Sequence, residues 1–218
     1  MDRFIFEQIK TIKLMNQPIF VTAIGTGCGK TVCSAILTEA LKADYWKPIQ
    51  AGTEEIDRET VASLISNKVS KLHPERYILK TPASPHAAAE IEGIQIKLSD
   101  FELPKTKNKL IIEGAGGVMV PLNYKCDFVI DLAQKFDAEI VLVSNLYLGS
   151  INHTLLTVNE LNRRGLSIKG IIFNGNSTPA SEKVIEKYTG LKVLLRVPQL
   201  KEISKIQIKS LAGEINWS

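Results

Sequence analysis

At 218 residues, 44% of them hydrophobic and 23% charged, the chain suits one ordinary globular domain, or at most two. The formal net charge is +4, with lysines scattered and no block of like charge or basic stripe interleaved with aromatics, so nothing marks a nucleic-acid-binding protein. No apolar run approaches the roughly 20 residues of a membrane helix, and Cys28, Cys33 and Cys126 cannot all pair, which points to a reducing cytosol.

The N-terminal run MDRFIFEQIK is too short and too interrupted by charge for a signal peptide. Residues 1–17 read as a short amphipathic extension, with Met15 as an alternative start. PIFVTA, 18–23, reads as a strand, and apolar positions at helical spacing make 30–43 a helix. YWKPI, 45–49, is a second strand ended by Pro48 and Gly52. Residues 58–68 are helical. In SPHAAAEIEG, 84–93, Ser84 caps a helix, Pro85 takes its first position and Gly93 stops it. A buried strand runs from 109 into glycines at 114–117, and FVIDLAQKF, 128–136, is a helix. EIVLVSN, 139–145, is continuously apolar, as in a parallel sheet covered on both faces. Residues 150–165 form a helix with basic residues in its last turn, 168–176 a strand, 181–190 a helix and 192–198 a last strand. This alternation predicts one doubly wound α/β domain with a mainly parallel sheet flanked by helices. In such a sheet ligands bind beyond the carboxyl ends of the strands. The glycine-rich and polar clusters at 24–31, 47–53, 113–117, 145–153 and 174–177 sit there.

FVTAIGTGCGKTV, 20–32, has the parts of a phosphate loop: a strand, Gly25, Gly27 and Gly29, then Lys30, Thr31 and a helix. Glycines let backbone N–H groups close on phosphate at a helix start, where the dipole favours anions. Lys30 would reach the β and γ phosphates and Thr31 would ligate Mg²⁺. This makes the domain P-loop NTPase in type. In the strict pattern the first glycine would fall at Ile24. Partitioning and division-site ATPases carry an extra lysine four residues before Gly29, and that position is Gly25.

Glu113 ends an otherwise apolar strand, where a carboxylate is costly without a cation. It is a candidate metal ligand with Thr31 and Asp57, and Glu54, Glu55 and Glu59 are alternatives to Asp57. His73, His86 and His153 show no ligand spacing, so zinc is not expected. Cys28 lies beside a helix start, where a thiol pKa can fall, or it is simply a small side chain in a tight turn.

The loop, KPIQAG (47–52), PASPHAAA (82–89), EGAGGVMVPL (113–122) and LGSINHTLLT (148–157) together resemble the dethiobiotin synthetases in order and spacing. The resemblance implies a cytoplasmic homodimer that uses Mg²⁺ and ATP. Its reaction would take 7,8-diaminononanoate and CO₂ to dethiobiotin, ADP and phosphate through a carbamate and a mixed anhydride. It implies catalytic Lys47, Lys30 and Thr26, with Lys47 neutralising charge on the carbamate and γ-phosphate. The phosphates would meet Thr26, Gly27, Cys28, Gly29, Lys30 and Thr31, with Asp57, Glu113, Gly114, Ala115 and Gly116 nearby. Asn174, Gly175, Pro198, Gln199 and Leu200 would flank the base, although Asn-Gly is also a good turn. Substrate would meet Lys47, Ala51, Thr53, Ser84, Pro85 and Gly117. The helix start Ser150, Ile151 and Asn152 would hold the substrate carboxylate from the second protomer, near Tyr188.

Three departures from the family stand out. Its loop reads G-T-D-T-x-V-G-K-T; here Ala23 replaces the first glycine, Gly25 an Asp and Gly27 a variable residue. Ala51 stands where Ser or Thr is usual, with Thr53 as a stand-in. The chain after Pro198 is short, which implies loose base recognition. Two other readings compete: a nucleotide-switched ATPase of the partitioning class, and a fragment of a cobyrinate-type amide synthase, which would carry a separate glutaminase domain.

Overall fold

The computed structural model describes residues 17–217; the extension proposed for 1–17 lies outside them except for Gln17. The described residues hold nine strands and seven α-helices, with one short 3-10 turn at Leu98–Asp100. Strand β1 is Ile19–Ala23, followed by α1, Lys30–Leu41. Then come β2 (Asp44–Trp46), β3 (Ile49–Ala51), α2 (Asp57–Leu64), β4 (Leu72–His73), β5 (Tyr77–Leu79) and α3 (Pro85–Ile91). The second half holds β6 (Leu110–Glu113), α4 (Asp131–Lys135), β7 (Glu139–Asn145), α5 (Ser150–Arg163), β8 (Ile168–Asn174), α6 (Pro179–Thr189), β9 (Val193–Val197) and α7 (Lys205–Glu214).

Seven strands form one sheet in the order β4-β2-β6-β1-β7-β8-β9, and every pairing is parallel. The side-chain period of two explains the continuous apolar runs. In β1, Ile19, Val21 and Ala23 join the core under α1, α2 and α7, while Phe20 joins the opposite core with Ala88, Leu132 and Leu161. β7 divides likewise, Val141 and Val143 facing one way and Ile140 the other. β1 is central, and the chain leaves it first toward β2 and later toward β7 on the other side. The loop after β1 therefore opens at the point where the winding reverses, the crevice where such sheets bind ligands. Among the described residues no helix is long and apolar enough to cross a membrane.

The structure differs from the sequence-based elements in several places, and it adds β4 and β5 between 68 and 84, where no element is expected from sequence. YWKPI is not one strand. Pro48 has no N–H to extend the ladder, so β2 ends at Trp46 and β3 pairs with β5 in a separate two-stranded sheet. The helix expected over 58–68 stops at Leu64, because the Glu39 carboxylate takes the backbone N–H groups of Ser66 and Asn67 at 2.7 and 3.0 Å. The helix expected over 128–136 is only Asp131–Lys135, since Phe128 bridges to Pro121 instead. Beyond Pro198 the chain folds into α7, for which sequence reasoning assigned nothing. Its signal was legible: Ser204 and Gln207 form a reciprocal capping box.

Candidate active site

The loop between β1 and α1 is pinned at its start by the Ile24 N–H, which donates to Val143 O at 3.2 Å. Gly29 caps α1 with φ +86°, and a Cβ there would stand 2.3 Å from Asn174 Nδ2, so only glycine fits. That Asn174 amide donates to Cys28 O at 2.9 Å and ties the end of β8 to the loop. Gly27 also has positive φ. Gly25 does not, and a Cβ there would meet only Cys28 Sγ at 3.8 Å. Burial pushes the Cys28 thiol up despite the nearby Lys30 charge, so the depressed thiol considered from sequence is not what the fold produces.

Lys30 is 7% exposed, and its ammonium donates to Gly25 O at 3.1 Å, folded back over the loop. Burial lowers its pKa, and the Glu113 charge only partly compensates. Opposite it, Lys47 projects from the bend after β2. Its Nζ lies 2.6 Å from Asp57 Oδ2 and 2.9 Å from Glu113 Oε1. Burial alone would lower this lysine's pKa, but the Glu113 and Asp57 charges and hydrogen bonds hold it above the usual value. Glu113 is 1% exposed at the end of β6, as expected of a buried carboxylate that faces a cation.

Thr31 Oγ1 is 2.6 Å from Asp57 Oδ1 and 3.0 Å from Glu113 Oε1. One hydroxyl hydrogen cannot satisfy both carboxylates. Three hard oxygens thus converge with less positive charge than they can accept, a donor set that fits Mg²⁺, which takes few carboxylates and keeps waters. Among the described residues no group of three or more His, Cys, Asp or Glu is arranged to hold a metal ion by itself. Of the acidic candidates on this loop, Asp57 is the one that meets Thr31, while Glu54, Glu55 and Glu59 are exposed. Gln50 arranges this: its amide donates to Gly52 O and Glu55 O, both at 3.1 Å, folding the loop so that α2 starts at Asp57. Sequence reasoning missed Gln50 and also Tyr45, whose hydroxyl donates to Glu113 Oε2 at 2.9 Å. Position 45, two before Lys47 on the same strand face, was the available signal.

These groups line a cavity of about 720 Å³. Its floor is Thr26 to Thr31, its walls include Lys47, Asp57, Glu113, Ala115 and Gly116, and it runs on to Ala51, Ser84 and Pro85. Thr53, the stand-in considered for a hydroxyl at Ala51, is an exposed loop residue outside that lining. Gly114 is not a free donor: its N–H goes to Val21 O at 2.9 Å, and a Cβ would strike Phe20 at 2.9 Å, so close packing explains this glycine. Gly117 packs under the loop, its Cβ direction 3.5 Å from Gly25 Cα. Ser84 occupies the N-cap of α3 but makes no capping bond; its hydroxyl pairs with His86 Nδ1 at 3.1 Å instead.

Of the residues expected to flank the base, three come together elsewhere, apart from Asn174 and Leu200. Gly175, Pro198 and Gln199 line a second cavity of about 420 Å³ with Arg196, Glu182 and, from α7, Leu211 and Glu214. Leu200 packs against the core beneath α1 and α7. Ser150 is buried and its N–H donates to Tyr147 O, Ile151 is half-buried and Asn152 exposed, and Tyr188 is 74% exposed on α6. None of these four lines the large cavity of its own chain.

Fold and loop together place the chain among P-loop NTPase-type proteins. Residues 17–207 match the family model described as an AAA domain. The fold resembles a ParA family ATPase from Chlorobium tepidum (14% identity, TM-score 0.53, 90% of this chain and 97% of that one). It also resembles the septum site-determining protein MinD of Pyrococcus horikoshii (14%, 0.52, 92% and 96%). At such identity the likeness concerns the fold alone. In sequence the chain is 56% identical to the ATP-dependent dethiobiotin synthetase BioD of Cytophaga hutchinsonii, over 91% of this chain and 97% of that protein. It is 49% identical to that of Christiangramia forsetii, over 91% and 95%. The chain belongs to the dethiobiotin synthetase family, the ATP-dependent ligases of biotin synthesis that form C–N bonds.

Proposed function

We propose that the protein converts 7,8-diaminononanoate, CO₂ and Mg·ATP to dethiobiotin, ADP and phosphate. The observation that carries this reading is Lys47. It sits between two carboxylates in the cavity that also holds Lys30 and the loop N–H groups and that extends to Ser84 and Pro85. One substrate amine adds to CO₂, forming an N–C bond and releasing a proton. A carbamate oxygen then attacks the γ-phosphorus, and ADP leaves. The second amine attacks the carbonyl carbon of the mixed anhydride; the ring closes, phosphate departs and a further proton is lost.

Phosphoryl transfer asks the protein for positioning and for positive charge near developing negative charge. Lys30 and the backbone from Thr26 to Thr31 would hold the β and γ phosphates, with Ala115 and Gly116 across from them. Lys47 would leave the carboxylates partly free and neutralise the carbamate and the transferring phosphoryl group. Thr31, Asp57 and Glu113 would hold Mg²⁺, which when bound neutralises charge on the phosphate oxygens. Asn174, Gly175, Pro198, Gln199 and Leu200 would frame the base.

The substrate carboxylate would meet the N-terminus of α5, Ser150 to Asn152, from the second protomer of a homodimer, with Tyr188 beside it. Two observations support this. That helix start lies outside its own chain's cavity, and Leu148 and Leu156 beside it are exposed apolar side chains. Three free thiols suit a reducing cytoplasm. The test is to incubate the protein with diaminononanoate, bicarbonate, Mg²⁺ and ATP. Dethiobiotin should form, with phosphate release that depends on the diamine. Diamine-independent hydrolysis with no dethiobiotin would sink the reading and favour a nucleotide switch.

A further inference from the structure

Glu113 is the most heavily used group at the site. Its two oxygens have different partners: Oε1 meets Lys47 Nζ at 2.9 Å and Thr31 Oγ1 at 3.0 Å, and Oε2 accepts the Tyr45 hydroxyl at 2.9 Å. Tyr45 is fully buried, and Glu113 is nearly so. Register explains the meeting. Tyr45 and Trp46 pair with Ile111 and Ile112, so Glu113 falls beside position 47 at the open end of the sheet. Alternation then puts Tyr45, Lys47 and Glu113 on one face. A carboxylate on two single bonds can rotate about its last torsion, which is broad and two-fold. A donor fixed on one oxygen stops that rotation.

We propose that Tyr45 is a positioning residue for the metal and the carbamate: its hydroxyl locks the Glu113 carboxylate so that Oε1 alone faces Thr31 and Lys47. The inference rests on the reading that Glu113 and Thr31 hold Mg²⁺. Tyr45 itself lines no part of the cavity and touches no reactant. It acts through Glu113, as the hydrogen-bonded partners of metal-ligating carboxylates generally do. The ring also fills the core beneath α1, so a role in packing alone is the alternative to be separated.

The experiment uses the full chain with β,γ-imido-ATP and Mn²⁺ as a spin probe for the metal, comparing wild type, Tyr45→Phe and Glu113→Gln. Glu113→Gln tests the underlying reading: if it binds Mn²⁺ as wild type does, Glu113 is not a ligand and both ideas fall. If Glu113→Gln weakens Mn²⁺ and Tyr45→Phe weakens it about tenfold, with a matching rise in the Mg²⁺ requirement for turnover, the proposal stands. If Glu113→Gln weakens Mn²⁺ but Tyr45→Phe stays within twofold, with only a lower melting temperature, Tyr45 is packing and the proposal is overturned. Should Tyr45→Phe not fold, wild type labelled with 3-fluorotyrosine at all five tyrosines supplies the reading. The ¹⁹F resonance of Tyr45, assigned by Phe variants of the other four, must shift when Mg²⁺ joins the nucleotide complex. An unmoved resonance overturns the proposal.

Discussion

Lys47 and Glu113 have side chains 7% and 1% exposed and hold each other at 2.9 Å, whereas Arg196, which walls the second cavity, is 54% exposed and reaches Glu182 and Glu186 from solvent. Both regions lie at the carboxyl ends of the strands and both pair lysine or arginine with two carboxylates. They differ in what water does to them. Inside the first, charges interact at low effective dielectric and an unpaired group is expensive; at the second, Glu182 is only 6% exposed but its partner Arg196 is mostly in water, so screening weakens the pair. The Lys47, Asp57 and Glu113 cluster, proposed to serve phosphoryl transfer, is therefore set in place by the fold itself. The second region, proposed to take the base, is a cavity between a loop and the last helix.

The sharpest way to break this contrast is Lys47→Met. Removing one preorganised donor to developing charge costs about 10²–10³ in turnover, and Lys47 also counters two carboxylates. The same change strands Glu113 and Asp57 without their cation, so urea denaturation should show a loss of about 3–5 kcal/mol, the usual cost of breaking a buried pair. Millimolar Mg²⁺ should restore part of that loss in the variant and change wild type much less. Wild-type turnover in Lys47→Met would show that the buried cluster is structural only.

Candidate residues are legible in the sequence where a chemical need would dictate residue type, and illegible where long-range contacts decide. Lys30, Thr31 and the glycines stand out in the sequence because a phosphate loop would need them at a helix start, and Glu113 because a carboxylate ending an apolar strand needs an explanation; the structure brings Lys30, Thr31 and Glu113 to one cavity. The loop 53–59 offered several acids with equal claim, and only the Gln50 side chain, folding that loop, brings Asp57 to Thr31. Gly114 carried the family pattern for another reason, its contact with Phe20. The start of α7 is marked by its capping box, but its apolar residues gain meaning only against α1, which lies far away in sequence.

The second cavity gives a milder expectation. Its polar lining includes Glu182, Arg196, Gln199 and Glu214, partners that any nucleobase edge can use in part, and Pro198 and Gln199 are exposed. CTP or GTP should support turnover within about tenfold of ATP, a gap of roughly 1.4 kcal/mol, measured as kcat/KM for each nucleotide. Strict selectivity for ATP would mean that α7 and the loop before it close on the base as firmly as the first region closes on phosphate.

The smallest effect belongs to the Glu182–Arg196 pair. Burial pushes the Glu182 pKa up, but the Arg196 guanidinium, the Ser177 hydroxyl and the Thr178 N–H outweigh it and hold the carboxyl below its ordinary value of 4.5. A carboxylate whose folded pKa is depressed adds stability that is fully present above pH 4.5 and is lost as pH falls through the folded value. Glu182→Gln should therefore be less stable than wild type at neutral pH, by about 1 kcal/mol or less because Arg196 is mostly solvated, and the gap should close in acid. Salt should shrink the gap at neutral pH while leaving the Lys47→Met deficit nearly intact, since the Glu182 partner Arg196 is exposed to screening and both Lys47 and Glu113 are buried. A gap insensitive to both acid and salt would mean that Glu182 contributes by packing, and the two regions would then differ less than their exposure suggests.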